Sequence, residues 1–145
     1  MLGCLSLFTL SLSNAQTDIG KLLSAKMDQA EHALDKQETR KAWEKTLEIA
    51  AMIKQYPDYD DGEYAEGIND IVTRLLMKPW NDASPYLIGT KSTPAFRDFV
   101  VDHINELSSP HDLKIIKKNI NQHCDPTKYA ICEQLIIHIN KSIHS

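Results

Sequence analysis

The sequence predicts an all-α fold, a compact array of about six to seven short helices, and three observations support this prediction. Apolar residues recur at three- and four-residue spacing along most of the chain, which places them on one helical face. No segment shows the alternation of β-branched residues and turn dipeptides that strands require. Three prolines, Pro94, Pro110 and Pro126, follow one another at 16-residue spacing, each directly after Thr, Ser or Asp.

Each of these three prolines marks the start of a predicted helix. Ser, Thr or Asp before proline can cap the free N–H groups of a helix, and proline in the first position loses no hydrogen bond. The residues six positions after the prolines, Val100, Ile116 and Cys132, are all apolar. The spacing therefore predicts three helices built alike, each with an apolar face. These Pro-initiated helices are expected at about 94–107, 110–123 and 127–142.

The earlier part of the chain predicts helices of a similar kind. The apolar pattern covers residues 18–37 and 40–56, either as two helices or as one long bent helix. A further helix is expected from a cap at Asp60 or Asp61 to about Met77.

Residues 80–90 are predicted to be a connection between helices. Its one short turn is expected to begin at Ser84 and Pro85, because this pair is a helix-start signal. Gly89 is a suitable residue to end that turn, since glycine tolerates the backbone conformation found at helix ends.

The first 15 residues differ in kind from the rest. Residues 2–12 form an uncharged apolar run, and the small-x-small sequence ending at Ala15 is typical of a cleavage site. We interpret this segment as a secretory signal peptide removed near Ala15, which places the single all-helical domain, residues 16–145, in the periplasm or outside the cell. The run is too short to span a bilayer. The alternative is a buried N-terminal helix.

The cysteines agree with export. Cys4 falls in the predicted signal peptide, which leaves Cys124 and Cys132 to form a disulfide in an oxidising compartment. The alternative is a pair of buried free thiols in a cytosolic protein. Because a disulfide needs Cα atoms within about 7 Å, a helix beginning at Pro126 must have its neighbour beside its second turn. Otherwise the helix must begin later.

Charge limits the kinds of partner. The net charge of −4 argues against general nucleic-acid binding. Residues 1–90 carry 9 Lys and Arg against 14 Asp and Glu, a net charge of −5. Residues 91–145 carry 7 against 6, a net charge of +1. A partner attracted by charge is therefore expected to be basic and to meet the first part of the chain.

Residues 56–64, with the sequence YPDYDDGEY, are named here the acidic loop. The spacing does not match an EF-hand calcium loop, because Gly62 is the fifth residue from Asp58 and Asn69 replaces the closing Glu. One explanation is structural, since acidic residues favour the positive end of a helix dipole. The functional explanation is an acidic, aromatic contact surface for a protein partner. Its partner-binding residues would be Tyr56, Asp58, Tyr59, Asp60, Asp61, Glu63 and Tyr64.

The sequence contains no recognisable catalytic pattern. Its six histidines form no H-E-x-x-H motif, and each of them, His103 included, is expected at the surface or partly buried. No G-x-S-x-G sequence, P-loop or glycine-rich phosphate site is present. We therefore predict that the chain is not an enzyme and uses no metal or cofactor.

Taken together, these features resemble the periplasmic immunity proteins that are paired with type VI secreted amidases. The resemblance is one of general architecture: a signal peptide, a helical domain of about 130 residues, and the pair Cys124 and Cys132. It implies a protein that occludes the active site of a secreted toxin, often with a protruding loop and frequently as a homodimer. A toxin or hydrolase with a basic cleft is the expected partner, because an acidic loop bearing tyrosines could fill such a cleft.

The alternative hypothesis is a structural or chaperone-like periplasmic module that uses the C-terminal helices. Its groove would be lined by polar residues beside the apolar stripe, such as His103, Asn105, Asn119 and Asn121. Gene context separates the two hypotheses: a neighbouring secreted toxin favours immunity, and a neighbouring envelope-assembly gene favours the second.

Overall fold

The computed structural model describes the backbone of residues 5–144 and the side chains of residues 18–144. The described chain is all-α, as predicted, and includes no β-strand. A 3-10 helix, Pro57–Tyr59, follows the second α-helix. The α-helices are α1 (Leu5–Asp35), α2 (Thr39–Gln55), α3 (Gly62–Leu76), α4 (Trp80–Leu87), α5 (Pro94–Asp102), α6 (Pro110–His123) and α7 (Ala130–Ile143).

The predicted signal peptide, residues 1–15, lies outside the residues whose side chains are described, so export stays a prediction. Among the described residues, none of the helices combines the length and apolar character that crossing a bilayer requires.

In the first half of the chain, α2 and α3 lie close to their predicted bounds, whereas α1 begins at Leu5, well before the predicted start at residue 18. α1 and α2 are separate helices, because Gln37 adopts a left-handed conformation with φ of 61° and turns the chain between them. The N–H of Glu38 then donates to the carbonyl of Ala33 at 2.8 Å. Asp61 is the N-cap of α3, and its Oδ1 accepts a hydrogen bond from the N–H of Gly62 at 2.8 Å.

The connection predicted at residues 80–90 is wrong in its first part. α4 begins at Trp80, directly after Pro79, and Pro85 lies inside this helix instead of starting it. The reason is a buried stripe at helical spacing formed by Trp80, Ala83 and Leu87. This stripe stabilises the helix although Pro85 donates no backbone hydrogen bond.

Two of the three Pro-initiated helices begin as predicted. Thr93 caps α5 by accepting a hydrogen bond from the N–H of Phe96 at 3.1 Å. Ser109 caps α6 in the same way, with the N–H of Asp112 at 3.1 Å. Residues Val100, Ile116 and Cys132 are all buried, which confirms the shared apolar position.

The prediction that the last helix begins at Pro126 is wrong. The Oδ1 of Asp125 accepts from both the N–H and the hydroxyl of Thr127, at 2.9 and 2.6 Å, and holds residues 125–129 as a turn. α7 therefore begins at Ala130, with Tyr129 as its N-cap. Cys132 lies in the first turn, where it reaches the end of α6. The predicted disulfide between Cys124 and Cys132 is present, with Cα atoms 5.6 Å apart.

α5 is shorter than predicted and ends at Asp102 instead of residue 107. The chain leaves the helix because residues 103–108 turn towards α3. There the buried hydroxyl of Ser108 lies 2.9 Å from that of Thr73 and accepts from the side-chain amide of Asn69 at 3.1 Å.

The centre of the core is an aromatic cluster contributed by three helices. Trp43 of α2 is fully buried. Its ring stacks on Tyr86 of α4 with centroids 5.4 Å apart, and meets Phe96 of α5 edge to face at 6.1 Å. Aromatic pairs in these geometries contribute about 0.5–1.5 kcal/mol beyond their burial. This cluster fixes α5 against α2, and the groove described below lies between these helices.

A polar network closes one side of the aromatic cluster. The hydroxyl of Tyr86 donates to Oε1 of Glu44 at 2.8 Å, and the ammonium group of Lys91 also donates to this oxygen. Burial, followed by the hydrogen bond to Glu44, raises the pKa of Tyr86 to about 12. The hydrogen bonds from Lys91 and then Tyr86 lower the pKa of Glu44 below its usual value.

Candidate functional site

The acidic loop, residues 56–64, runs from the end of α2 into the first turn of α3, and its tyrosines hold it against α1. The rings of Tyr59 and Tyr64 meet edge to face with centroids 5.7 Å apart. They lie over Gly20 of α1, where a Cβ atom would be only 2.8 Å from the hydroxyl of Tyr64. Gly20 therefore allows the close approach of the loop to α1. Both rings are half-buried and offer only part of their surface to a partner.

The opposite side of the loop is held by a hydrogen bond that joins residues 43 positions apart in the sequence. Oδ1 of Asp60 lies 2.8 Å from Nε2 of His103, at the C-terminal end of α5. Nδ1 of the same ring lies 2.7 Å from the carbonyl oxygen of Phe99, and the two rings are 4.3 Å apart. The His103 side chain is buried, whereas that of Asp60 is 29% exposed. Asp60 thus fixes the loop to α5.

Both partners of this imidazole are hydrogen-bond acceptors. A carbonyl oxygen cannot donate, and neither can an ionised carboxylate. The two bonds of His103 therefore form together with an ionised Asp60 only when both ring nitrogens carry a proton. The prediction of a surface or partly buried histidine is wrong here, because His103 is 4% exposed.

The remaining members of the loop point to solvent or to its own backbone. Asp58 and Glu63 are exposed, and neither carboxylate forms an ion pair with any described residue. Asp61 is exposed while it caps α3, and Tyr56 is half-buried at the end of α2. The seven predicted site residues are therefore neighbours in space. They differ in what they contact.

A groove lies beside the loop, between α2 and α5, with a volume of about 440 Å³. It is named here the acidic groove. Its floor is apolar, with Phe96 and Phe99 stacked at 6.0 Å and Leu47 and Ala50 opposite them on α2. Its carboxylates are Asp60, Asp98 and Asp102, and its basic residues among the described lining are Lys54 and His103, whose ring is bonded to Asp60. The sequence prediction of the site included only Asp60 from this set.

Asp98 and Asp102 are the most available charges of the acidic groove. Both lie on α5 four residues apart, which places them side by side on one helical face, about 6 Å apart. Both are exposed, and no Lys, Arg or His among the described residues pairs with either of them. Like charges in this arrangement repel each other, so a cation between them is favoured.

Three of the four polar residues named for the alternative groove have structural contacts, and the fourth, Asn121, is exposed. His103 is buried against Phe99, as described above. The side-chain amide of Asn119 donates to the carbonyls of Leu76 and Lys78, both at 3.0 Å, and so satisfies the end of α3. Asn105 accepts a hydrogen bond from the N–H of Leu107 within its own turn. These three side chains have structural contacts.

In the described part of the chain, no three His, Cys, Asp or Glu side chains are grouped to hold a metal ion. Cys124 and Cys132 are bonded to each other, so neither is a free thiol. The carboxylates and the apolar floor of the acidic groove can contact another molecule through charge and apolar packing.

Comparisons of this chain with models of protein families, with curated proteins and with solved structures find no match.

Proposed function

We propose that this chain is a non-catalytic binding protein, exported from the cytoplasm, that neutralises a bacterial toxin enzyme by occluding its active site. This is the role of an immunity protein. The proposal is supported by one observation above all: an acidic loop fixed on both sides, with two carboxylates left free. The tyrosines fix the loop to α1, Asp60 fixes it to α5, and Asp58 and Glu63 remain exposed.

Fixing the loop matters because ordering a flexible loop on binding costs free energy. Each rotamer-rich side chain immobilised at an interface costs about 0.5–1.5 kcal/mol, and a loop already in its bound shape avoids part of that cost. The half-buried tyrosine rings add contact area with few torsions left to freeze.

The charge of the loop favours a basic cleft as its target. Enzymes that act on anionic polymers concentrate positive charge around their substrate, and a carboxylate-bearing loop can use the same field. Such complementarity mainly accelerates association and suppresses wrong partners. A secreted hydrolase of the cell wall is the expected partner class.

The test begins with capture of the partner. The tagged chain is expressed in its native strain, recovered from the periplasm, and the co-purifying proteins are identified by mass spectrometry. We expect a stoichiometric hydrolase, and we expect purified chain to abolish its activity at a one-to-one ratio. A chain that binds this enzyme and leaves its activity unchanged contradicts the inhibitor role.

The contribution of the loop is measured with Asp58→Asn and Glu63→Gln together. This double variant removes two exposed charges and keeps the cap at Asp61 and the contact of Asp60. Exposed ion pairs contribute about 0.2–1 kcal/mol each, so we expect affinity for the enzyme to fall about twofold to thirtyfold, mainly through slower association.

A matched control removes two exposed carboxylates elsewhere, with Glu106→Gln and Glu133→Gln. The net charge changes equally, but the loop does not change. Affinity that falls by the same factor in both double variants would show that only overall charge matters, and the assignment of the loop would be wrong.

A further inference from the structure

We propose that the acidic groove is a second contact surface, which binds a short segment of the partner carrying arginine or lysine next to leucine-like side chains. This rests on the proposed function, because it assumes a protein partner that meets the same side of the molecule. It adds a site that lies outside the acidic loop in sequence, since the groove is formed mainly by α2 and α5.

The apolar part of the proposed ligand follows from the floor. Phe96 and Phe99 are stacked side by side beneath the groove, and Leu47, Ala50 and Ala51 line its wall on α2. Apolar side chains gain about 25 cal/mol for each Å² removed from water, so a leucine-like side chain is favoured on this floor.

The basic part of the proposed segment is inferred from the carboxylates at the edge of the acidic groove. Asp98 and Asp102 form an unpaired couple of carboxylates on one face of α5, as described above. A guanidinium group between them could donate to both carboxylates at once, a geometry for which arginine is well suited. Asp60 is less available, because it already accepts from His103 at 2.8 Å. Lys54 on the opposite wall disfavours a ligand with several positive charges at that end.

The size of the groove limits the length of the segment. Its volume of about 440 Å³ is within the range of small-ligand pockets, about 300–1,000 Å³. That space holds a few side chains, not a whole helical face. A short basic and apolar segment, such as the lip of a basic cleft, is the occupant that fits this size and charge.

A second copy of this chain is the competing occupant. α6 carries exposed Lys114 and Lys118 beside Ile115, which is 36% exposed, so its surface has the same mixed chemistry. Binding of α6 from one copy into the acidic groove of the next would produce a concentration-dependent assembly. Sedimentation of the full chain distinguishes this case directly.

The experiment uses a fluorescein-labelled octapeptide in which two arginines alternate with two leucines between alanines. Its binding to the full chain is followed by fluorescence polarisation. The reference peptide has glutamate in place of each arginine. We expect binding of the arginine peptide and none of the glutamate peptide. We also expect affinity to decrease strongly between about 20 mM and about 0.5 M salt, because exposed charges are screened at high ionic strength.

Two changes in the protein localise the binding. The double variant Asp98→Asn with Asp102→Asn is expected to bind the arginine peptide with about fivefold to tenfold lower affinity. The control Glu106→Gln with Glu133→Gln is expected to change it less than twofold. Ala51→Trp places a large ring at an exposed position of the wall and is expected to abolish binding without altering the circular dichroism spectrum.

Each contrary result has a distinct meaning. Equal binding of the two peptides, or unchanged affinity in both groove variants, overturns the groove. Self-association that disappears in Asp98→Asn with Asp102→Asn identifies a second copy as the occupant and also overturns the proposal. The inhibition of a captured enzyme can depend on Asp58 and Glu63 but not on Asp98 and Asp102. This result supports the proposed function and overturns only the proposal that the acidic groove is a contact surface.

Discussion

The contact between Asp60 and His103 should make a measurable contribution to stability, because its hydrogen bond joins the acidic loop to the C-terminal end of α5. Replacing each residue by alanine, singly and together, gives a double-mutant cycle that isolates their interaction. The cavity left by His103→Ala and the backbone effect of Asp60→Ala then largely cancel, and the coupling free energy remains.

The structure sets the size of this coupling. The two atoms are 2.8 Å apart, His103 is buried, and the Asp60 side chain is 29% exposed. Hydrogen bonds to charged groups contribute about 1.5–3 kcal/mol, whereas exposed ion pairs contribute about 0.2–1 kcal/mol. Because one partner is buried and the other keeps some contact with water, we expect a coupling of about 1–2 kcal/mol.

Urea denaturation followed by circular dichroism measures the four free energies of unfolding. The exposed pair Lys41 and Glu38, 3.2 Å apart with side chains 59% and 45% exposed, serves as a control cycle and should give no more than about 0.5 kcal/mol. A coupling for Asp60 and His103 no larger than that of the control would refute the argument.

Two further predictions concern the rest of the scaffold. The pKa of Glu44 is lower in the folded chain than its usual value, because Lys91 and Tyr86 donate hydrogen bonds to its carboxylate. The ionised carboxylate therefore stabilises the folded chain fully above the usual pKa, and this stabilisation is lost as the pH falls through the folded pKa. Unfolding measured from pH 7 down to pH 3 should therefore show a smaller acid-induced loss of stability for Glu44→Gln than for the unaltered chain. Replacing Cys124 and Cys132 by serine should lower the free energy of unfolding by about 2–3 kcal/mol, because the disulfide restricts the unfolded chain. The loss is not larger because the loop that the disulfide closes is short. Equal urea midpoints for the oxidised chain and the double variant would contradict this.

The features that the sequence predicted correctly are those that local chemistry decides. Thr93 and Ser109 cap their helices through side chains only three residues from the N–H groups they bind. The break between α1 and α2 and the cap at Asp61 are local as well, although the sequence left one long bent helix and a cap at Asp60 open as alternatives. In these cases the pattern of apolar residues and the capping residue agree, so the helix start is well defined.

The errors arise where a local signal had two structural outcomes. Asp125 before proline can cap a helix, but here its carboxylate binds Thr127 and forms a turn, so α7 begins at Ala130. Pro85 resembles a helix start, yet the buried face of α4 extends the helix through it. Both outcomes depend on packing against distant residues, which a local pattern does not contain.

The candidate site shows the same limit more clearly. Asp60 and His103 are 43 positions apart, and the acidic groove is formed by helices whose pairing no local sequence pattern indicates. The signal that could have indicated His103 is its position next to Ile104, at the end of an apolar helix that also contains Phe99. A histidine that is buried at such a position loses its contact with water, so its ring nitrogens need polar partners from the protein.

The structure also changes how the acidic loop has to be tested. Substituting Tyr59, Asp60 and Asp61 by alanine would remove the packing on α1, the bond to His103 and the cap of α3 at once. Partner binding lost in such a variant would not separate a contact residue from a residue that supports the loop. Asp58 and Glu63 lack these structural contacts among the described residues. A loss of binding confined to them therefore reports on recognition, and its absence would move the contact surface away from the loop.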